Sequence, residues 1–204
     1  MHNVRATVPA MALWLLSLTA CCNCPPTGQL TTFEFTGEFT SVFDAFGVLG
    51  ERSTPLSFTG WYSFDRFAPD TDADQDHGRY TSTLGGSGIV IRFDTFSVET
   101  PSVGPTLSIT TSDEPLNNAA DIYSIRTGNI GGTAGFPAGW LFQVLIDVVK
   151  GSPSDVLTSD ELPTTPPDIS ISGVNTTFQI VGGPDAQNIG SLNLNGRLLS
   201  LTPR

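Results

Sequence analysis

Residues 140–149 read WLFQVLIDVV, a nearly uninterrupted apolar run, and this run decides the fold class. A strand with two apolar faces is covered on both sides, so we place it centrally in a sheet. Elsewhere apolar and polar residues alternate. In residues 56–64, Leu56, Phe58, Tyr62 and Phe64 alternate with Ser, Thr and Trp. A period of two residues is the pattern of a strand with one buried face.

About ten such segments follow one another, separated by clusters of Gly, Pro, Asn and Asp. They lie at residues 32–42, 56–64, 89–93, 96–98, 107–109, 122–125, 140–149, 169–171, 178–180 and 192–201. A helical apolar period is missing after the N-terminal segment. The pattern predicts an all-β fold, an antiparallel β-sandwich or jelly roll whose Phe and Ile side chains fill the space between two sheets. We expect residues 128–139, which contain five glycines, to form a mobile loop.

Residues 1–20 predict a lipoprotein signal peptide. Arg5 precedes an uncharged stretch with MALWLL at residues 11–16, which is shorter than the roughly 20 residues of a membrane-spanning helix. The following residues, LTAC at 18–21, resemble a lipobox. We therefore predict that Cys21 is lipidated, with simple secretion after Ala20 as the alternative. Residues 21–29 would then be a short tether, and residues 30–204 a single β-sandwich domain.

The charge of the chain excludes one class of partner. The net charge is −11, and loss of Arg5 with the signal leaves eight basic against 20 acidic residues, or −12. Nucleic-acid binding needs clustered basic residues, so we predict no nucleic-acid partner. Direct adsorption to anionic lipid is disfavoured for the same reason. Membrane attachment is expected through the lipid on Cys21, at a bacterial outer membrane or cell surface, with a periplasmic or secreted location as the alternative.

The acidic loop, residues 70–78, reads DTDADQDHG. Alternating aspartates can direct oxygen ligands at one point, and Ca²⁺ takes six to eight such ligands. The spacing departs from an EF-hand loop, because Gln75 stands where the turn glycine belongs and Thr81 where the last glutamate belongs. Two interpretations stay open, a looser calcium loop and a solvated hairpin tip. The candidate ligands are Asp70, Asp72, Asp74 and Asp76.

Catalytic groups are scarce. After processing, His77 would be the one histidine left, so a histidine zinc site is excluded and a Ser-His-Asp triad would have to use it. Glycoside hydrolysis needs two facing carboxylates, and the pattern singles out no pair. Four aromatic residues, Trp61, Tyr62, Tyr80 and Trp140, could form a stacking platform for sugars, with Trp61 and Tyr80 as the candidate binding residues, although large aromatics in strands more often belong to the core. We therefore expect a non-enzymatic protein.

The order of several motifs resembles the exported ectodomains of bacterial PEP-CTERM proteins. These motifs are FEFTG at 33–37, FTGWYSFD at 58–65, GRY at 78–80, DIY at 121–123 and DELP at 160–163. The resemblance implies export and association with an exopolysaccharide matrix, and it supplies no catalytic residue. Such proteins finish with Pro-Glu-Pro, an apolar helix and a basic tail, whereas this sequence reads TPR at 202–204. We expect the lipobox to replace that sorting signal as the anchor.

Together these observations predict an exported, lipid-anchored β-domain with a structural or adhesive role at the cell envelope or in the polysaccharide matrix. One alternative is a calcium-assisted carbohydrate-binding module. Another is a glycan-active hydrolase.

Overall fold

A computed structural model describes residues 28–74, 76–100, 107–113, 120–151, 157, 159 and 161–204. The predicted signal at residues 1–20 and the lipidation site Cys21 lie outside these ranges. All regular structure within them is β-strand. The eleven strands are β1 (Leu30–Asp44), β2 (Leu56–Asp65), β3 (His77–Ser82), β4 (Gly88–Phe93), β5 (Phe96–Glu99), β6 (Leu107–Ser112), β7 (Asp121–Thr127), β8 (Ile130–Ala134), β9 (Leu141–Lys150), β10 (Val174–Gly183) and β11 (Leu192–Pro203). None of the described residues belongs to a helix that could cross a membrane.

Eight of the strands close into a barrel. Their order around the ring is β10-β11-β1-β2-β4-β5-β8-β9, and β9 pairs back onto β10. The remaining three strands, β7, β6 and β3, continue the sheet outside the barrel. They start from the edge of β9 opposite β10, where β7 pairs beside β8. Every pairing is antiparallel. The predicted all-β, antiparallel fold is confirmed, but the sheet closes on itself where two separate layers were expected.

The apolar strand β9 is the branch point of the sheet. It pairs over its whole length with β10. Its other edge pairs with β8 at Leu141 and Phe142 and with β7 from Leu145 onward. Between these two stretches the Val144 N–H donates to the Thr127 hydroxyl oxygen at 2.9 Å. The central position predicted for this run is therefore confirmed, because β9 has neighbours on both edges.

Aromatic rings fill the barrel. Phe35, Phe58 and Phe178 are buried, and the Phe58 and Phe178 rings stack with centroids 4.1 Å apart. Space for these rings comes from glycines on neighbouring strands. A Cβ added to Gly60 would lie 2.5 Å from the Phe35 Cζ atom and would also strike the Val90 carbonyl oxygen. Residue 60 is therefore a glycine because a ring lies directly over its backbone.

Three segments differ from the prediction. Residues 130–134, inside the expected glycine-rich loop, form β8. Gly131 pairs with Leu141, and Gly132 pairs with Val98, so strands distant in sequence determine this element. Residues 169–171 are a turn instead of a strand, because the Asp168 carboxylate accepts hydrogen bonds from the Ser170 N–H and hydroxyl at 2.9 and 2.6 Å. Such local bonds compete with sheet formation. Strand β3 was not expected either.

Candidate functional site

The outer surface of the barrel carries the candidate sites, because side chains fill the interior. One region combines an aromatic ring with polar groups on four adjacent strands. In its first row Glu34 of β1 lies opposite both Thr202 of β11 and Trp61 of β2. Two residues further along β1, on the same face of the sheet, Thr36 lies opposite Ser200 and Thr59. We call this region the Trp61 face; it is formed by the outward side chains of Glu34, Thr36, Thr59, Trp61, Arg92 and Arg204.

The Trp61 face encloses a shallow cavity of about 330 Å³. Local sequence explains why its side chains point outward. Trp61 alternates with buried residues of β2, and Glu34 alternates with the buried Phe33 and Phe35. Arg92 of β4 lies opposite Thr59, two residue pairs away from the pair that Trp61 forms with Val90. Alternation thus selects the outward positions, and strand pairing brings them side by side.

Charges on this face are partly compensated. The Arg204 guanidinium carbon lies 5.6 Å from the centroid of the Trp61 ring, within cation–π range. Its Nε atom is 3.1 Å from a carboxylate oxygen of Glu34. Arg92 is exposed and forms no ion pair within the described ranges. The face therefore offers an aromatic surface, hydroxyl groups and one unpaired guanidinium.

Tyr80 does not share a face with Trp61. Its side chain is 7% exposed and belongs to the core, while Trp61 lines the outer cavity. The stacking platform that the sequence suggested is therefore not assembled, because Tyr62, Tyr80 and Trp140 are all buried in the core. The residues that do accompany Trp61 are Glu34, Arg92 and Arg204. These three residues were not predicted from the sequence, although alternation with buried neighbours marks Glu34 and Arg92 as outward.

The acidic loop uses its carboxylates to bind its own backbone. Asp70 accepts hydrogen bonds from the N–H groups of Asp72 and Arg79 at 2.9 and 2.8 Å. Asp72 accepts from Asp74, and Asp74 from Asp76, each at 3.2 Å. These are successive Asx turns. Thr71 also donates its N–H to the Arg79 carbonyl at 2.9 Å, so the loop covers the edge of β3 and shields it from pairing with another chain.

The contacts of Asp74 within the loop lower the pKa of its carboxyl group. The N–H of Asp76 holds the pKa of Asp74 below its ordinary value, and the neighbouring His77 lowers it further. The His77 Nδ1 atom lies 3.3 Å from the second Asp74 oxygen. Across the part of the chain that the structure describes, no three His, Cys, Asp or Glu side chains come together as a metal site. Calcium binding by Asp70, Asp72, Asp74 and Asp76 stays a prediction.

Comparison of the chain with protein-family models, with curated proteins and with solved structures finds no match in any of the three.

Proposed function

We infer that this chain is a non-enzymatic, exported and lipid-anchored β-domain that adheres to polysaccharide through the Trp61 face. The observation that supports this most directly is the outward Trp61 ring, bordered by threonine and serine hydroxyls and by Arg92. A sugar ring has an apolar C–H face and a rim of hydroxyls. An aromatic side chain with polar neighbours complements both.

The shape of the site favours a polymer over a small molecule. The cavity of about 330 Å³ opens along several strands of the sheet surface, so a long chain can cross it without leaving solvent. Among the described residues that line it, Glu34 is the one acid, and its carboxylate is paired with Arg204. Glycoside hydrolysis uses two carboxylic groups on opposite sides of the bond. The composition of this face therefore supports binding without cleavage.

The expected lipid on Cys21 would supply the attachment to the membrane. Gln29 already accepts a hydrogen bond from the Arg66 N–H at 3.0 Å, so the free tether would be residues 21–27, with a reach of about 24 Å at roughly 3.4 Å per residue. An acidic domain is repelled by anionic headgroups, so the tether would carry the whole attachment. Changing Cys21 to Ser should move the protein from the membrane fraction to the soluble fraction. Continued membrane fractionation of C21S would overturn the lipoprotein proposal.

Binding to immobilised polysaccharides tests the role of the Trp61 face. Trp61→Ala should weaken retention by about 30-fold, the effect of losing a central aromatic contact of roughly 2 kcal/mol. Phe67→Ala is the matched control. Phe67 is 41% exposed, and the Arg66 guanidinium lies 4.7 Å from its ring, so this variant loses a similar aromatic–arginine pair outside the face. Equal retention of W61A and the wild type would exclude the Trp61 face as the binding site.

A further inference from the structure

We propose that the barrel carries a second polysaccharide-binding site, formed by five amide side chains centred on β10. We call it the amide surface, and it consists of Asn129, Gln143, Gln179, Asn193 and Asn195. Its ligand class is a neutral, hydroxyl-rich polymer. The choice of a polysaccharide rests on the proposed function, whereas the existence of the site rests on the geometry below.

Strand pairing assembles the amide surface from separate parts of the sequence. Gln179 of β10 lies opposite Asn195 of β11. Two residues further along β10, on the same face of the sheet, Val181 lies opposite both Gln143 of β9 and Asn193 of β11. The four amides on β9 to β11 (Gln143, Gln179, Asn193 and Asn195) alternate with buried core residues, so they project outward together.

Hydrogen bonds hold these amides in a defined arrangement. Gln179 donates from its Nε2 to the Oδ1 atoms of Asn193 and Asn195, at 3.3 and 3.0 Å. Gln143 donates from its Nε2 to the Asn129 Oδ1 at 2.9 Å. Both N–H groups of Gln179 are therefore engaged, which leaves its carbonyl oxygen as an acceptor and the asparagine NH₂ groups as donors. Side chains that are already ordered lose less entropy when a ligand binds.

The chemistry of the surface matches hydroxyl groups. An amide both donates and accepts, as a sugar hydroxyl does. The five side chains are uncharged in a protein of net charge −11, so an uncharged polymer meets no repulsion there. Leu145 and Val181 are half-buried and line a shallow cavity of about 200 Å³, whose rim includes Gln143, Gln179 and the exposed Arg126. They provide an apolar floor for the C–H face of a sugar ring.

The two faces point in different directions. The amide surface is centred on β10 and the Trp61 face on β1 and β2, which are two and three steps from β10 in a ring of eight strands. Two to three steps correspond to a rotation of about 90–135° around a closed barrel. One flat surface cannot contact both faces at once. A domain with two such sites would bridge two polysaccharide chains, which would give the adhesive role a molecular basis.

The test measures retention on three immobilised neutral polysaccharides (dextran, β-1,3-glucan and chitin) and on two acidic ones (alginate and polygalacturonate). Gln179→Leu keeps the size of the side chain and removes its amide. We expect about tenfold weaker retention on the neutral polymer that the wild type binds. Gln187→Leu is the matched control, because Gln187 is an exposed amide in the loop between β10 and β11. Gln179→Glu is the second variant, and it loses both donated hydrogen bonds while the side chain stays polar.

Bridging gives an independent readout. The wild type should cross-link the soluble form of the bound polymer and raise its light scattering. Gln179→Leu and Trp61→Ala should each bind without bridging, and the double variant should lose retention. If both Gln179 variants are retained and bridge as well as the wild type, the second site is excluded. The proposal for the Trp61 face is unaffected by that result. Stronger retention on the acidic polymers than on the neutral ones would also exclude the second site, and no retention on any of the five would overturn both proposals.

Discussion

Two buried tyrosines offer the sharpest test of the packing. Tyr62 of β2 and Tyr123 of β7 are fully buried, and their hydroxyl oxygens lie 3.1 Å apart. They connect the closed barrel to the β7-β6-β3 extension. Replacing one by Phe leaves the other hydroxyl buried without its partner, at a cost of about 1–3 kcal/mol. Replacing both removes the need for a partner, so the double variant should be nearly as stable as the wild type.

The same pair predicts a loss of stability in alkali. Burial raises the pKa of both phenols, and the nearby Tyr123 raises that of Tyr62 further. In the unfolded chain a tyrosine titrates at about pH 10. Because the folded pKa is the higher one, the stabilisation is complete below pH 10 and is lost as pH rises. At pH 11 each tyrosine favours unfolding by about 1.4 kcal/mol, or about 2.8 kcal/mol for the pair.

Urea unfolding followed by circular dichroism measures both effects. The wild type, the two single Phe variants and the double variant are compared at about pH 8 and pH 11. The double variant should lose about 2.8 kcal/mol less than the wild type between these two pH values. The reasoning is refuted if the double variant loses as much as the wild type. It also fails if the two single effects at pH 8 simply add in the double variant.

Three further predictions concern glycine packing, a loop carboxylate and calcium. Gly60→Ala should destabilise the fold by about 2 kcal/mol or more, because the added Cβ meets the Phe35 ring and a backbone carbonyl. Gly85→Ala is the control: the added Cβ meets no atom there, so the urea midpoint should stay unchanged. Asp44→Ala should cost about 1–2 kcal/mol in the same assay, because the carboxylate accepts the Leu49 N–H at 2.7 Å. If the acidic loop binds calcium, then calcium at about 100 times its dissociation constant should raise the melting temperature by about 5–10 °C relative to EDTA; an unchanged melting temperature would exclude the site.

Several features of the fold were predictable because they depend on neighbouring residues in the chain. Alternation with a period of two placed Phe33 and Phe35 on one face of β1, and both are buried. The apolar run at residues 140–149 indicated a central strand, and β9 has neighbours on both edges. The same alternation implied that Trp61 faces away from Phe58 and Tyr62. Two of the wrong assignments, at residues 130–134 and 169–171, lie where glycine or a side-chain hydrogen bond weakened the local signal.

The candidate sites were less predictable, because they depend on which strands become neighbours. Trp61 was identified as a possible sugar platform, but its expected companion Tyr80 lies in the core. Its actual neighbours, Glu34 and Arg204, come from β1 and from the end of β11. None of these groups is close to the others in sequence, and no spacing rule connects them.

The sequence alone determined the strand content, the inward or outward direction of most side chains and the acidic character of the surface, because these follow from local alternation and composition. Only the tertiary structure decided that the sheet closes on itself. It also decided that Gln179 reaches Asn193 and Asn195, and that Trp61 stands beside Arg204 and not Tyr80. The physical reason is that strand order and register depend on packing and hydrogen bonding between residues far apart in the chain. The pairing of Phe33 with Pro203, across almost the whole domain, is the clearest instance.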